Sequence, residues 1–286
     1  MKTKSKIVTG SLLLTLIIIF SVSDAHAAWL SGWQYRKKIT IQNAYLSSNL
    51  ADFPLYVKIN SDTNIGANAR PNGDDIRFTS SDGSALLKHE EEYFNVSGGA
   101  ATGHFWVKIP AINPSAVTDI YIYYGNSGST DGQDAVNAWD TNFKGVWHLN
   151  TTSWTDSTTN GFNGTGYDNV TTTTGVILNA AVFDGSGDYI SLGTSGSLTS
   201  SFTVSSWVNP GHATGMIGIM GSRTPSDAGF DFKFQGGTTI HGDIGNGSSW
   251  ITTSVDTSLS YSTETWYYVV YTFTTSGWTI YVNGEY

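Results

Sequence analysis

The sequence predicts an all-β protein: two antiparallel β-sandwich domains behind an N-terminal leader. Three observations carry this. Short segments that alternate apolar and polar residues with period 2 run through the chain. Gly, Pro, Asn and Asp stand between them at regular spacing, and no long 3.6-residue periodicity follows the leader. Composition agrees, with charged residues at 13%, aromatics at 13% and 32 Gly in 286 residues, the balance of a turn-rich sheet protein. That length accommodates about two domains of ordinary size.

Residues 1–27 read as a signal peptide. Lys2, Lys4 and Lys6 form a basic opening, Ser11 to Phe20 is apolar, and Ala25-His26-Ala27 is a small-x-small cleavage site. The apolar stretch is too short to span a bilayer comfortably, and no later segment is apolar enough to try. The expected location is therefore outside the cytoplasm: extracellular, cell surface or periplasm. Removing Lys2, Lys4, Lys6 and Asp24 from 14 basic and 23 acidic residues leaves 11 and 22, a net charge of −11. So acidic a surface repels phosphate backbones and excludes nucleic acid as a partner. Cysteine is absent, so stability rests on the core or on bound metal rather than on disulfides.

Residues 28–126 form the first domain. Tyr35 to Ile41 alternates into Ile39 and Ile41, and Phe53, Leu55, Val57 and Ile59 share one face of the next strand. Asp75 to Thr79 ends in a turn at Ser81-Asp82-Gly83. Phe105 to Ile109 stops at Pro110, and Ile120 to Tyr124 stops at Gly125-Asn126. Four motifs in order, Trp33-x-Tyr35-Arg36-Lys37, Asp75-Ile76-Arg77-Phe78 with Asp82-Gly83, Trp106 to Pro110, and Tyr121 to Asn126, resemble domain of unknown function 2341. That family of exported prokaryotic domains brings no established activity; some members are fused to proton-channel subunits and others precede laminin-G-like modules.

Residues 127–144 read as a linker, Gly/Ser/Asp-rich at first and then a helical turn or extended piece at Ala135 to Asp140. Residues 145–286 form the second domain. It opens at Gly145 to Asn150, and Thr171 to Thr174 reads as a polar loop. Val182 and Phe183 form a short strand before the loop Asp184-Gly185-Ser186-Gly187-Asp188. In the strand that follows, Phe202, Val204, Ser206 and Val208 face one way and Thr203, Ser205 and Trp207 the other. Phe183-Asp184-Gly185 through Trp207, together with Asp156 to Gly164, resembles the laminin-G / concanavalin-A-like lectins, which implies a jelly roll built for binding. Trp266 to Phe273 and Trp278 to Val282 form a hairpin, and Asn283-Gly284 signals another turn. A return strand is expected beyond it, so the chain reads as incomplete at its C-terminus.

The chemistry follows from oxygen donors and aromatics. Asp184 and Asp188, four apart around Gly-Ser-Gly, can bring two carboxylates to one calcium ion or can simply form Asx turns. The resemblance adds Asp156 to the proposed calcium ligands. Six scattered histidines exclude a zinc pattern. Glucanases of the same sandwich carry an E-x-D-x-x-E or E-x-D-x-E strand, and no such motif occurs. The run Glu90-Glu91-Glu92 reads as a solvated strand face, so no enzyme activity is expected. Trp154, Tyr167 and Trp250 lie in polar loops and are the candidates for contact with a sugar ring; Trp106, Trp147, Trp207 and Trp266 lie in strand patterns and are expected in the core. The function expected is an exported, non-catalytic binding or adhesion protein contacting carbohydrate or a protein partner. The alternative is an accessory N-terminal region of a larger extracellular hydrolase or envelope transport machine, with its active part beyond residue 286.

Overall fold

The computed structural model describes residues 29–43, 46–193, 201–224, 227–246, 248–258, 260–274 and 277–285. The leader expected at 1–27 lies outside the described residues. The chain forms two compact units, one ending at Asp134 and the other beginning at Ala135.

The first unit contains β1 (Tyr35–Ile41), β2 (Leu50–Asp62), α1 (Thr63–Asn68), β3 (Arg77–Ser80), β4 (Leu86–Leu87), β5 (His89–Ser97), β6 (Ala100–Ile112) and β7 (Thr118–Tyr124). They build two antiparallel sheets, ordered β1-β7-β3-β4 and β2-β6-β5. The alternation read from sequence explains the core: Val57, Ile59, Phe105, Val107 and Ile109 meet Phe78, Ile120 and Ile122. Each such side chain contributes about 1.5–3 kcal/mol on full burial. Asp62 ends β2 and caps α1, its Oδ1 accepting from the amides of Asn64 and Ile65. Fully buried Asp75 closes one end of the sandwich. It accepts from the amides of Arg70, Gly125 and Asn126 at 2.9, 2.7 and 3.0 Å, which links two of the sequence motifs in space.

The segment 127–144 divides between the units. Ser129 and Thr130 accept from the Arg77 guanidinium at 2.9 and 2.6 Å, and Asp134 pairs with Lys88 at 2.6 Å, so this part lies on the first unit. The second unit opens with α2 (Ala135–Ala138) and a buried Trp139 set edge-on against Phe143.

The second unit continues with β8 (Thr165–Tyr167), β9 (Thr171–Thr174), β10 (Asn179–Val182), β11 (Tyr189–Ser191), β12 (Phe202–Val208), β13 (Met216–Thr224), β14 (Asp227–Gln235), β15 (Thr239–Gly245), β16 (Trp250–Ser258), β17 (Tyr267–Thr274) and β18 (Gly277–Val282). A three-stranded sheet β12-β17-β18 and a four-stranded sheet β13-β14-β15-β16 enclose the core, and β9/β10 and β8/β11 form two short antiparallel pairs. Phe230, Phe232 and Phe234 alternate inward along β14 against Val204, Val269, Tyr271 and Ile280. At the end of β18, Asn283 and Gly284 adopt φ of 51° and 90°, and a bridge joins Val282 to Glu285. This is the turn chemistry that Asn-Gly favours.

Four readings of the sequence need correction. Thr171 to Thr174 pairs with β10 as a strand rather than looping, because four β-branched residues favour extended backbone. Trp207 is 43% exposed; it sits on the outward side of β12, and its ring meets Tyr268 at 5.3 Å. Trp106 is half-buried on the outward side of β6, since its neighbours Phe105 and Val107 take the inward positions. Glu90 to Glu92 is no solvated face: Glu90 is buried and Glu92 accepts from the Trp106 indole at 2.8 Å. Alternation keeps Glu92 on the side of Glu90, which lies opposite Trp106, and a bulge between Glu91 and Tyr93 leaves Glu92 without a cross-strand partner in the register.

Candidate functional site

The exposed feature of the second unit that invites a ligand is an aromatic pair. Antiparallel pairing of β8 with β11 sets Tyr167 opposite Tyr189 and Gly166 opposite Ile190. Side chains alternate, so Gly166 and Ile190 turn one way while both tyrosines turn out. Their rings stack at 4.5 Å with planes 6° apart, and the residues remain 45% and 51% exposed. Two locked parallel rings with polar tips are a preformed flat surface that sacrifices little entropy on binding.

Carboxylates rim this pair. Asp188 precedes Tyr189 and accepts from the amides of Asn169 and Asp184, both at 2.8 Å. Asp184 accepts from the amide of Ser186 at 2.7 Å, which is an Asx turn. Gly185 and Gly187 take φ of 83° and 91°, so the loop folds over and lays Gly187 against the Asp168 carboxylate; an added Cβ there would stand 2.8 Å from its Oδ2. Asp168 follows Tyr167 as Asp188 precedes Tyr189.

The sequence candidates separate. Asp156 is buried, and both its oxygens are occupied. Oδ1 accepts from the amides of Val146 and Thr158, and Oδ2 from the Thr158 hydroxyl and the Phe162 amide, all at 2.9 Å. Among the described residues no group of three or more His, Cys, Asp or Glu could hold a metal ion. The expected calcium trio of Asp156, Asp184 and Asp188 therefore does not assemble, because the loop's own N–H groups use the Asp156 carboxylate. These residues do not fit a shared calcium ion.

Trp154 is also corrected. It is 5% exposed, a core residue and not a sugar platform. Its indole fills space left by two glycines: a Cβ on Gly166 would fall 2.7 Å from its Nε1, and one on Gly164 would fall 2.9 Å from its Cβ. Trp250 opens β16 half-buried, on a different sheet from Tyr167. Of the three aromatic candidates, Tyr167 alone sits in the exposed pair. Sequence reasoning missed Tyr189 and Asp168; the signal was the mirrored Tyr-Asp and Asp-Tyr dipeptides, legible only once register is known.

A charged cluster lies on the four-stranded sheet, on the side of β14 opposite its phenylalanines. Register places Asp231 opposite Asp243 and Lys233 opposite His241. The Lys233 ammonium stands 2.6 Å from Asp231 and 3.7 Å from Asp243, and His241 Nε2 lies 2.7 Å from Asp243. Asp231 and Lys233 are buried, so each charge depends on its neighbours for compensation.

Two family models match the chain. Residues 72–157 match Domain of unknown function (DUF2341), and residues 184–286 match the Concanavalin A-like lectin/glucanases superfamily. Tyr189 falls within the second segment and Tyr167 between the two. Neither the curated proteins nor the solved structures compared with the chain gave a match. No helix among the described residues is long and apolar enough to cross a membrane.

Proposed function

From a chain that carries a DUF2341 region followed by a concanavalin A-like lectin/glucanase region, we infer a non-catalytic carbohydrate-binding protein that works outside the cytoplasm. Its second unit holds the sugar. The reading rests on one observation, the exposed parallel stack of Tyr167 and Tyr189 rimmed by aspartates. The outer faces of the rings take the C–H face of a pyranose, and the carboxylates of Asp168 and Asp184 accept from its hydroxyls. Export rests on the basic, apolar and small-residue organisation of residues 1–27. The non-catalytic reading rests on the sequence, which carries no E-x-D-x-x-E or E-x-D-x-E strand to supply a pair of catalytic carboxylates.

The test is binding of the full chain to an array of purified glycans, with Tyr167→Ala and Tyr167→Phe alongside. Phe keeps the stacking plane and should retain binding, whereas Ala should weaken it about tenfold or more, a loss of about 1.4 kcal/mol. Equal binding by the wild type and Tyr167→Ala, with both folded, would overturn the assignment.

A further inference from the structure

The outward face of β2-β6-β5 in the first unit has a composition that sandwich packing does not require. Register sets Tyr56 opposite Trp106 and Trp106 opposite Glu90, forming one row across all three strands. His104 and Tyr93 oppose each other in the adjoining row. The alternate residues Val57, Phe105 and Val107 fill the core, so this row of rings faces away from it. An outward face of an antiparallel sandwich is ordinarily polar and solvated.

Here the rings are locked together and to acids. Tyr56 and Trp106 lie 5.1 Å apart, Tyr56 and His104 5.9 Å, and Tyr93 and His104 6.0 Å. The Tyr56 hydroxyl meets His104 Nδ1 at 2.5 Å, and the Trp106 indole N–H donates to Glu92 at 2.8 Å. Glu90 and His104 are 7% and 6% exposed, while Tyr93 at the rim is 40% exposed. Burial, and then the charge of Glu92, hold the Tyr56 phenol above its ordinary pKa. The β5 bulge matters to this arrangement: it brings Tyr93 opposite His104, where a regular strand would set Glu92.

We propose that this face is a second carbohydrate-binding surface, independent of the tyrosine pair in the second unit, and that it takes a neutral polysaccharide. Half-buried rings with oriented edges suit the C–H faces of successive pyranoses. The exposed Tyr93 hydroxyl at the rim suits sugar hydroxyl groups, as donor and as acceptor. The immobilised rings spare the entropy that a flexible loop would lose on binding. Glu90 and Glu92 are balanced on this face by Lys58, opposite His104, and Lys108, opposite Pro54, so the face has no net charge to select an ionic polymer, and the chain's net charge of −9 repels anionic glycans.

The experiment is affinity electrophoresis of the full chain through gels containing barley β-glucan, xyloglucan or galactomannan, with alginate as the anionic comparison. The wild type should be retarded by at least one neutral polymer and not by alginate. Tyr56→Ala and Tyr93→Ala should each weaken that retention about tenfold, while Tyr167→Ala leaves a retained fraction. Should Tyr56→Ala fail to fold, exposed Tyr93 decides the matter alone. Retention unchanged in folded Tyr56→Ala and Tyr93→Ala, retention abolished by Tyr167→Ala alone, retention by alginate only, or no retention of the wild type would each overturn the proposal. Retention lost in Tyr56→Ala but untouched in Tyr167→Ala would uphold this face and remove the second-unit site instead.

Discussion

Asp156 is a structural pin, and its removal should destabilise the second unit with or without calcium. Its carboxylate accepts four hydrogen bonds at 2.9 Å, three from backbone amides and one from the Thr158 hydroxyl. Asp156→Ala strands those four donors. A buried donor left unpaired costs about 1–3 kcal/mol, and partial relaxation of the loop reduces the sum to about 3–5 kcal/mol. For a unit of roughly 150 residues this lowers Tm by about 10 °C. Asp156→Asn keeps an acceptor for Val146 and the Thr158 amide but presents N–H groups to Phe162 and the Thr158 hydroxyl, so about half the loss is expected. The assay is thermal unfolding followed by circular dichroism, in EDTA and again in millimolar calcium. The drop should be the same in both buffers. Were wild type and Asp156→Ala to melt together in EDTA and separate only in calcium, the carboxylate would be a metal ligand and the reasoning would fail.

Two further predictions concern buried groups. The Tyr271 hydroxyl is buried with no hydrogen-bond partner among the described residues, so Tyr271→Phe should be neutral or stabilising by about 1 kcal/mol in urea unfolding; a loss above 1 kcal/mol would reveal a partner. Burial first, then Asp131 and Asp74, push Glu91 up to about 7, while burial first, then Arg77, lowers His89 to about 4. Neutral Glu91 contributes stability that is full below its unfolded pKa near 4.5 and lost as pH rises through 7. Neutral His89 contributes about 3 kcal/mol that is full above 6.5 and lost as pH falls through 4. The two slopes oppose each other in the wild type. Glu91→Gln should therefore gain on the wild type between pH 4.5 and 7; urea midpoints at several pH values check this, and a constant difference would contradict it.

Period-2 alternation made the strands of both units legible, and Phe202 to Val208 lies as its pattern indicates. Alternation says which residues share a face but not which face is covered, and Trp106 and Trp207 were misplaced for that reason. Register was invisible too. Tyr189 meets Tyr167 only because β8 pairs with β11, and Tyr93 meets His104 only through a one-residue bulge. Trp154 looked exposed because its surroundings are Gly-rich, yet those glycines are what admit its indole into the core. Asp156 resembled a ligand because a carboxylate that gathers amides and one that gathers an ion leave the same trace in a Gly- and Thr-rich loop.

Calorimetric titration of a glycan that the array identifies into wild type, Tyr189→Ala and Tyr189→Phe tests the carbohydrate-binding account most directly. Tyr189 lies inside the concanavalin A-like segment and is 51% exposed, so its removal should disturb the ligand more than the fold. The account predicts that wild type and Tyr189→Phe bind with similar Kd. Tyr189→Ala should bind about tenfold more weakly at an unchanged melting temperature. Equal Kd for all three proteins, or no heat of binding for the wild type, would contradict it.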